Sequence, residues 1–177
     1  MLSSILEHNK SFVEERKAAG LDIPISGHAQ QNAMVFTCMD TRLVDLVEPA
    51  MGFKRGDVKI LKNAGNIIRD RCSDIIRCIA VCTILMGLSE VYVVGHKDCG
   101  MAKLTVEEVR TKMISRGISE EVLDTIDVGR WIGIVKDERE NVLDVVRKIK
   151  ESPFIPKDIS IYGLLLDPNS GELEVIS

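Results

Sequence analysis

Aromatic residues are scarce: four Phe, two Tyr and one Trp make up 4% of the 177 residues. The core must therefore rest on Ile, Val, Leu and Met rather than on stacked rings. A cationic excess is missing too, with 23 Lys and Arg against 27 Asp and Glu and a net charge of −4. Nucleic-acid binding normally shows a basic patch or stripe, so that class is disfavoured. No apolar run reaches the ~18 residues of a membrane span. The first twenty residues, MLSSILEHNKSFVEERKAAG, mix charges into their apolar positions and do not read as a secretory signal. The expected compartment is the cytoplasm. Repeats, low-complexity stretches and any linker long enough to separate domains are also lacking, so a single domain over 1–177 is expected.

What is present is a set of five cysteines, odd in number and irregular in spacing: Cys38, Cys72, Cys78, Cys82 and Cys99. In a reducing compartment such residues read as metal ligands, catalytic groups or small core residues rather than disulfides. The pattern around them alternates strands and helices. Residues 2–19 have amphipathic helical spacing. AMVFTCM (33–39) is a short apolar run with β-branched character, and RLVDLVEPAMG (42–52) has helical spacing ending at Gly52. DVKILKNAG (57–65) reads as a second strand, SDIIRCIAVCTILMG (73–87) as an apolar helix, and EVYVVGH (90–96) as a third strand. Residues 101–126 read as helix in two pieces broken near Gly117, and ERENVLDVVRKIKE (138–151) as an amphipathic helix. ISIYGLLLD (159–167) is a fourth strand, and GELEVIS (171–177) a fifth, paired with it in a hairpin. This order predicts an α/β fold with a mostly parallel central sheet of four strands plus a C-terminal fifth strand, flanked by helices.

Ligands of such sheets bind beyond the carboxyl ends of the strands. The first strand ends TCMDTR, with Cys38, Asp40 and Arg42; the third ends GHKDCG, with His96 and Cys99. If the two strands are neighbours, Cys38, His96 and Cys99 converge. Two thiolates and an imidazole form a recognised zinc ligand set with a fourth position open. Either feature alone is weak: a cysteine at a strand end is usually a small buried hydrophobe, and an isolated H-x-x-C arises by chance. Their joint occurrence favours the metal. Asp40 and Arg42 allow two arrangements. The carboxylate can bind the metal and close the site, or pair with Arg42 and leave the fourth position to water; the second is favoured for the active form. Asn63-Ala64-Gly65-Asn66 ends the second strand. It is a turn at least, and its small side chains would let backbone approach a compact substrate. Cys78 and Cys82, four apart on an apolar helix, fit core packing. Cys72 reads as a surface thiol, or as a ligand closing the site. His8 and His28 lie in polar sequence, although His28 could shuttle protons.

Taken together, CMDTR, NAGN and GHKDCG resemble the β-class carbonic anhydrases, above all the small prokaryotic and archaeal members, over about residues 32–104 and less specifically to the C-terminus. No match is evident to the aromatic and Gln side chains that line the pocket of plant-type members. Thr41 stands where many members have serine. The resemblance implies Zn2+ held by Cys38, His96 and Cys99, and an Asp40–Arg42 dyad acting in catalysis. It implies CO2 and bicarbonate as substrate and product, and a homodimer or higher even oligomer in which residues 1–30 form an arm on a partner subunit. Asn63, Ala64 and Gly65 would belong to the substrate pocket, with apolar residues near Ala64 and Ile67 lining it. Zinc would supply hydroxide near neutral pH. Relatives with the same ligands hydrolyse carbon disulfide or carbonyl sulfide, so that activity is the alternative. A non-catalytic zinc protein and a metal-free flavodoxin-like module are the remaining readings.

Overall fold

The computed structural model describes residues 1–70 and 73–177. It places a five-stranded sheet in the order β2-β1-β3-β4-β5. The strands are β1 (Ala33–Cys38), β2 (Val58–Asn63), β3 (Glu90–His96), β4 (Ser160–Leu166) and β5 (Leu173–Val175). The first four pair in parallel, and β5 returns antiparallel on β4 after the Pro168-Asn169-Ser170-Gly171 turn. This is the expected architecture. The helices are α1 (Leu2–Ala18), α2 (Val47–Ala50), α3 (Asp74–Ala80), α4 (Val106–Ser115), α5 (Glu120–Leu123), α6 (Val128–Ile132) and α7 (Glu138–Glu151).

All six residues of β1 are buried, as a central parallel strand covered on both faces requires. Side chains alternate between two cores. Met34, Phe36, Val91 and Val93 face α3 and α7, meeting Ile76, Ile79, Val142, Val145 and Ile149. Val35, Val94, Leu164 and Leu166 face the other way, onto Leu43 and Val47. That second face carries three of the few aromatics: Tyr92 stacks on Tyr162 at 5.3 Å and meets Phe53 at 6.2 Å. A third, smaller cluster of Val109, Leu123 and Val128 joins α4, α5 and α6 into an excursion between β3 and α7.

Several elements differ from their expected bounds, for local reasons. The helix expected over 42–52 is a 3-10 turn at Thr41–Leu43 followed by the single turn α2. Asp45 between them takes a left-handed φ of 56°, which no α-helix accommodates. The helix expected over 73–87 is α-helical only to Ala80 and continues as a π turn over Val81–Leu85 before Gly87 at φ 70°. Helix α6 was not anticipated; its signal is Asp127, whose carboxylate caps the N-terminus by accepting from the N–H of Arg130. Cys82 lies in the core and Cys78 is half-buried, as expected of packing residues. Cys72 lies outside the described residues.

Helix α7 presses close on the sheet because glycine lies beneath it twice. A Cβ at Gly95 would meet Val142 Cγ2 at 2.5 Å, and one at Gly163 would meet Val142 Cγ1 at 2.8 Å. Gly95→Ala is therefore expected to destabilise the fold by about 1–3 kcal/mol through overpacking. In a Val142→Ala background the same change should cost clearly less. Urea denaturation of the four proteins of this cycle measures both; equal costs in the two backgrounds would refute the close-approach explanation.

Candidate metal centre

The strand order makes the site. From β1 the chain moves to one side to form β2 and then crosses to the other side to form β3, so the carboxyl ends of β1 and β3 flank a topological switch point. Cys38 is the last residue of β1 and His96 the last of β3. Asp98, at φ 59°, turns the chain back and brings Cys99 into the same space. One ligand atom from each of Cys38, His96 and Cys99 lies within 4.8 Å of the others, and all three residues are buried.

The donor set fits a metal ion on two independent grounds. His96 Nδ1 hydrogen-bonds the Lys97 carbonyl at 2.9 Å, which makes Nδ1 the protonated nitrogen and leaves Nε2 with a free lone pair. Nε2 is buried and has no hydrogen-bond partner, a costly state for a nitrogen that nothing occupies. The second ground is electrostatic. Cys38 is pushed towards the thiolate by hydrogen bonds from the Cys99 thiol and from the Gly65 N–H, the latter at 3.2 Å. Cys99 is pushed the opposite way by the same neighbour, Cys38, and by burial. Two thiols this close do not both ionise unaided, and a divalent cation is what allows it. Burial alone would lower the His96 pKa, but the Cys38 sulfur beside it raises it.

Asp40 stands next to this cluster, its Oδ2 at 3.8 Å from His96 Nε2. It is pinned there by Arg42. Asp40 Oδ1 accepts from the Arg42 backbone N–H at 2.9 Å and from Nε at 3.1 Å, and Oδ2 accepts from Nη2 at 2.8 Å. These bonds hold the Asp40 carboxyl down at about 2, so it is ionised throughout the neutral range. Both of its oxygens are engaged by the guanidinium. That is the arrangement in which the carboxylate pairs with Arg42 rather than closing the site.

A cavity of about 320 Å³ opens over the thiols, lined by Met39, Asp40, Thr41, Ala64, Gly65 and Met101 among others. Ala64 and Gly65 thus reach it. The Asn63 side chain instead closes its own turn, accepting from the Ile67 N–H at 2.9 Å and donating to the Ile67 carbonyl at 2.8 Å. Asn63 and Ile67 line an adjacent cavity of about 190 Å³ with Arg69 and Trp131. Met39 and Met101 were not anticipated as lining residues. Neither was Glu138, whose Oε1 accepts the Cys99 N–H at 3.1 Å from the start of α7. Nor was Asp98, bonded to Arg42 from beside Cys99; its adjacency to a proposed ligand was the one available signal. His8 and His28 are exposed.

A buried Cys-His-Cys group at the switch point of a parallel sheet, with an ionised carboxylate beside it, is a candidate metal centre in an enzyme of the α/β class. The comparisons narrow this. The family model described as carbonic anhydrase matches residues 33–173. The crystal structure of β-carbonic anhydrase isoform I from Trichomonas vaginalis superposes with a TM-score of 0.91 at 34% identity, covering 99% of this chain and 97% of that one. YtiB of Bacillus subtilis, provisionally named a carbonic anhydrase, is 36% identical over 99% of this chain and 96% of its own length. A carbon disulfide hydrolase of Acidianus sp. is 35% identical over 78% of this chain and 74% of its own. The chain belongs to the β-carbonic anhydrase family.

Purified protein is expected to carry about one zinc per chain by elemental analysis, as a three-ligand site implies. Cys38→Ser or His96→Ala should weaken zinc binding by more than the ~10–100-fold typical of losing an outer-shell partner. Binding should also weaken as pH falls, because protons compete for both thiolates and for Nε2. Full zinc retention by either variant would remove these residues from the ligand set.

Proposed function

We propose that this enzyme catalyses CO2 + H2O ⇌ HCO3− + H+ with zinc held by Cys38, His96 and Cys99. The observation that carries the reading is the bidentate Arg42–Asp40 pair, which keeps a carboxylate ionised beside Nε2 without spending it as a ligand. Zinc bound there would lower the pKa of a coordinated water and so provide a nucleophile near neutral pH. Two thiolates would formally cancel the metal's charge, so such a water would be less acidic than in a three-histidine site.

The chain's own residues do the rest. Asp40, ionised and only partly exposed, accepts a hydrogen bond from the attacking water and so orients its oxygen. Arg42 fixes the carboxylate's orientation through a rigid fork. Met39, Ala64, Gly65 and Met101 offer an apolar wall suited to CO2, which has no charge for a polar anchor to grip. The Gly65 N–H donates to Cys38 Sγ and moderates the charge on that sulfur. A second reading, hydrolysis of CS2 or COS by the same groups, is favoured by the Acidianus relative. CO2 stands first because the Trichomonas vaginalis structure, a β-carbonic anhydrase by name, resembles this chain over nearly its full length.

We place residues 1–30 as an arm that packs on a second copy. Helix α1 buries none of its residues in its own chain, and Leu2, Ile5, Leu6 and Phe12 are exposed. Isolated helices of this length are marginal in water, so α1 needs a surface to lie on. The assembly is then a homodimer or an even multiple of it. No helix among the described residues is long and apolar enough to cross a membrane, in keeping with a cytoplasmic enzyme.

Stopped-flow CO2 hydration of zinc-loaded protein from about pH 6.5 to 9 should show a rate that rises through an alkaline pKa. Asp40→Asn should keep its zinc and lose at least about 100-fold in rate, the scale of losing one positioned hydrogen bond at the reacting atoms. CS2 and COS assayed alongside decide between substrates: consumption of either without CO2 hydration would overturn the first reading. For the arm, deletion of residues 1–20 should reduce the mass seen by light scattering. An unchanged mass would place the interface elsewhere.

A further inference from the structure

We propose that Asp98 is a positioning residue: through Arg42 it holds Asp40 off the metal position and so keeps that position open. The inference rests on Cys38, His96 and Cys99 being metal ligands, and not on which substrate is turned over.

The Arg42 guanidinium divides its donors between two partners. Nε and Nη2 hold the Asp40 carboxylate at 3.1 and 2.8 Å. Nη1 donates to Asp98 Oδ2 at 2.9 Å, and Nη2 donates also to the Asp98 backbone carbonyl at 2.9 Å. One residue of the ligand loop thus offers two acceptors to one arginine. It does so from a left-handed backbone at φ 59°, a conformation that Asp and Asn tolerate better than most residues. Lys103, at the end of the following 3-10 turn, pairs with Asp98 Oδ1 and leaves Oδ2 for Arg42. Arg42 is 37% exposed, and the hydrogen bonds of its guanidinium go to Asp40 and Asp98. Its fork is fixed mainly by the two carboxylates it bridges.

The consequence falls on Asp40. Its Oδ2 is already 3.8 Å from Nε2, so a modest rotation would offer that oxygen to a metal. While Arg42 is anchored on Asp98, such a rotation breaks bonds to a fixed partner. Without the Asp98 carboxylate, Arg42 keeps only the carbonyl contact to the ligand loop, so its fork can move together with Asp40, which is then free to compete for the fourth position. A purely electrostatic role for Asp98 makes the opposite prediction for an incoming anion. Removing a negative charge beside the site would then tighten anion binding.

The test uses full-length protein with Co2+ in place of zinc and thiocyanate as the probe of an open position, followed by visible absorption. Asp98→Gly removes the side chain and accepts the positive φ; Asp98→Asn keeps the backbone and one neutral acceptor. If the open fraction falls to a tenth, apparent affinity falls about tenfold; that is the expectation for Asp98→Gly. Asp98→Asn should lose about threefold, the neutral acceptor replacing some of a charge-assisted bond. Should the Gly variant not fold, the Asn variant alone decides. Unchanged or tighter thiocyanate binding in the variants overturns the proposal. So does a wild-type spectrum that ignores thiocyanate while Asp40→Asn responds, because Asp40 would then hold the metal despite Asp98. Weakened binding in the variants, in a protein that hydrates no CO2, would sink the proposed activity and leave the positioning role standing.

Discussion

Parallel pairing of β1 with β3 is the constraint on which the rest of the molecule depends. The register sets Thr37 beside Val94, so the two strands end nearly level. Cys38 and His96 then emerge side by side, although 58 positions apart in the chain by their numbering. A sheet built in simple sequence order would place β2 between them. Because β2 instead lies outside β1, the gap at the strand ends is left to Cys38, His96 and Cys99. The thiol of β1 also receives the Gly65 N–H from the turn after β2, so three successive strand ends contribute to one pocket.

Within that pocket the charges are arranged as a sequence of dependencies. The two thiols raise and lower each other's tendency to ionise, a conflict that a divalent cation removes. With a divalent cation bound and both sulfurs charged, the group would be neutral as a whole, and Asp40 would be the negative charge beside it. Arg42 meets that charge, and Asp98 with Lys103 meets Arg42 in turn. Exposed ion pairs of this kind contribute little to stability. Their value here is geometric: each fixes the orientation of the next, and the chain ends at the Asp40 carboxylate beside His96 Nε2.

Much of this was legible in the sequence, and the features that were not have physical reasons. The strands and α7 follow from period-two and period-3.6 patterns long enough to be unambiguous, as Val142, Val145, Val146 and Ile149 show. Cys38, His96 and Cys99 were readable because soft ligands directly after apolar runs are unusual. The turn at Thr41–Leu43 reads as helix in the sequence because Asp40's side chain replaces a helical backbone bond with its own hydrogen bond to the Arg42 N–H, and apolar spacing carries no trace of that. Met101, Asp98 and Glu138 escape for a different reason. Each acts on a residue brought near only by folding, and no local spacing reports a contact made across 39 or 56 positions.

Helix α7 shows why packing and chemistry are not separable here. Its middle presses Val142 into the space left by Gly95 and Gly163, which fixes the helix's height above β3 and β4. At that height its first turn brings Glu138 to the Cys99 N–H, and the next brings Asn141 Nδ2 to the Gly65 carbonyl at 3.0 Å. The Gly65 N–H is the one that reaches Cys38. The same helix therefore braces both the loop that carries Cys99 and the turn whose Gly65 N–H reaches Cys38. A side chain added under Val142 would act as a wedge at the far end of these two bonds, and donor–acceptor distances near 3 Å leave little slack before they weaken. Glycine in β3 and β4 is unfavourable for strand formation in itself. Its presence at two positions under one valine is explained by what the helix must reach.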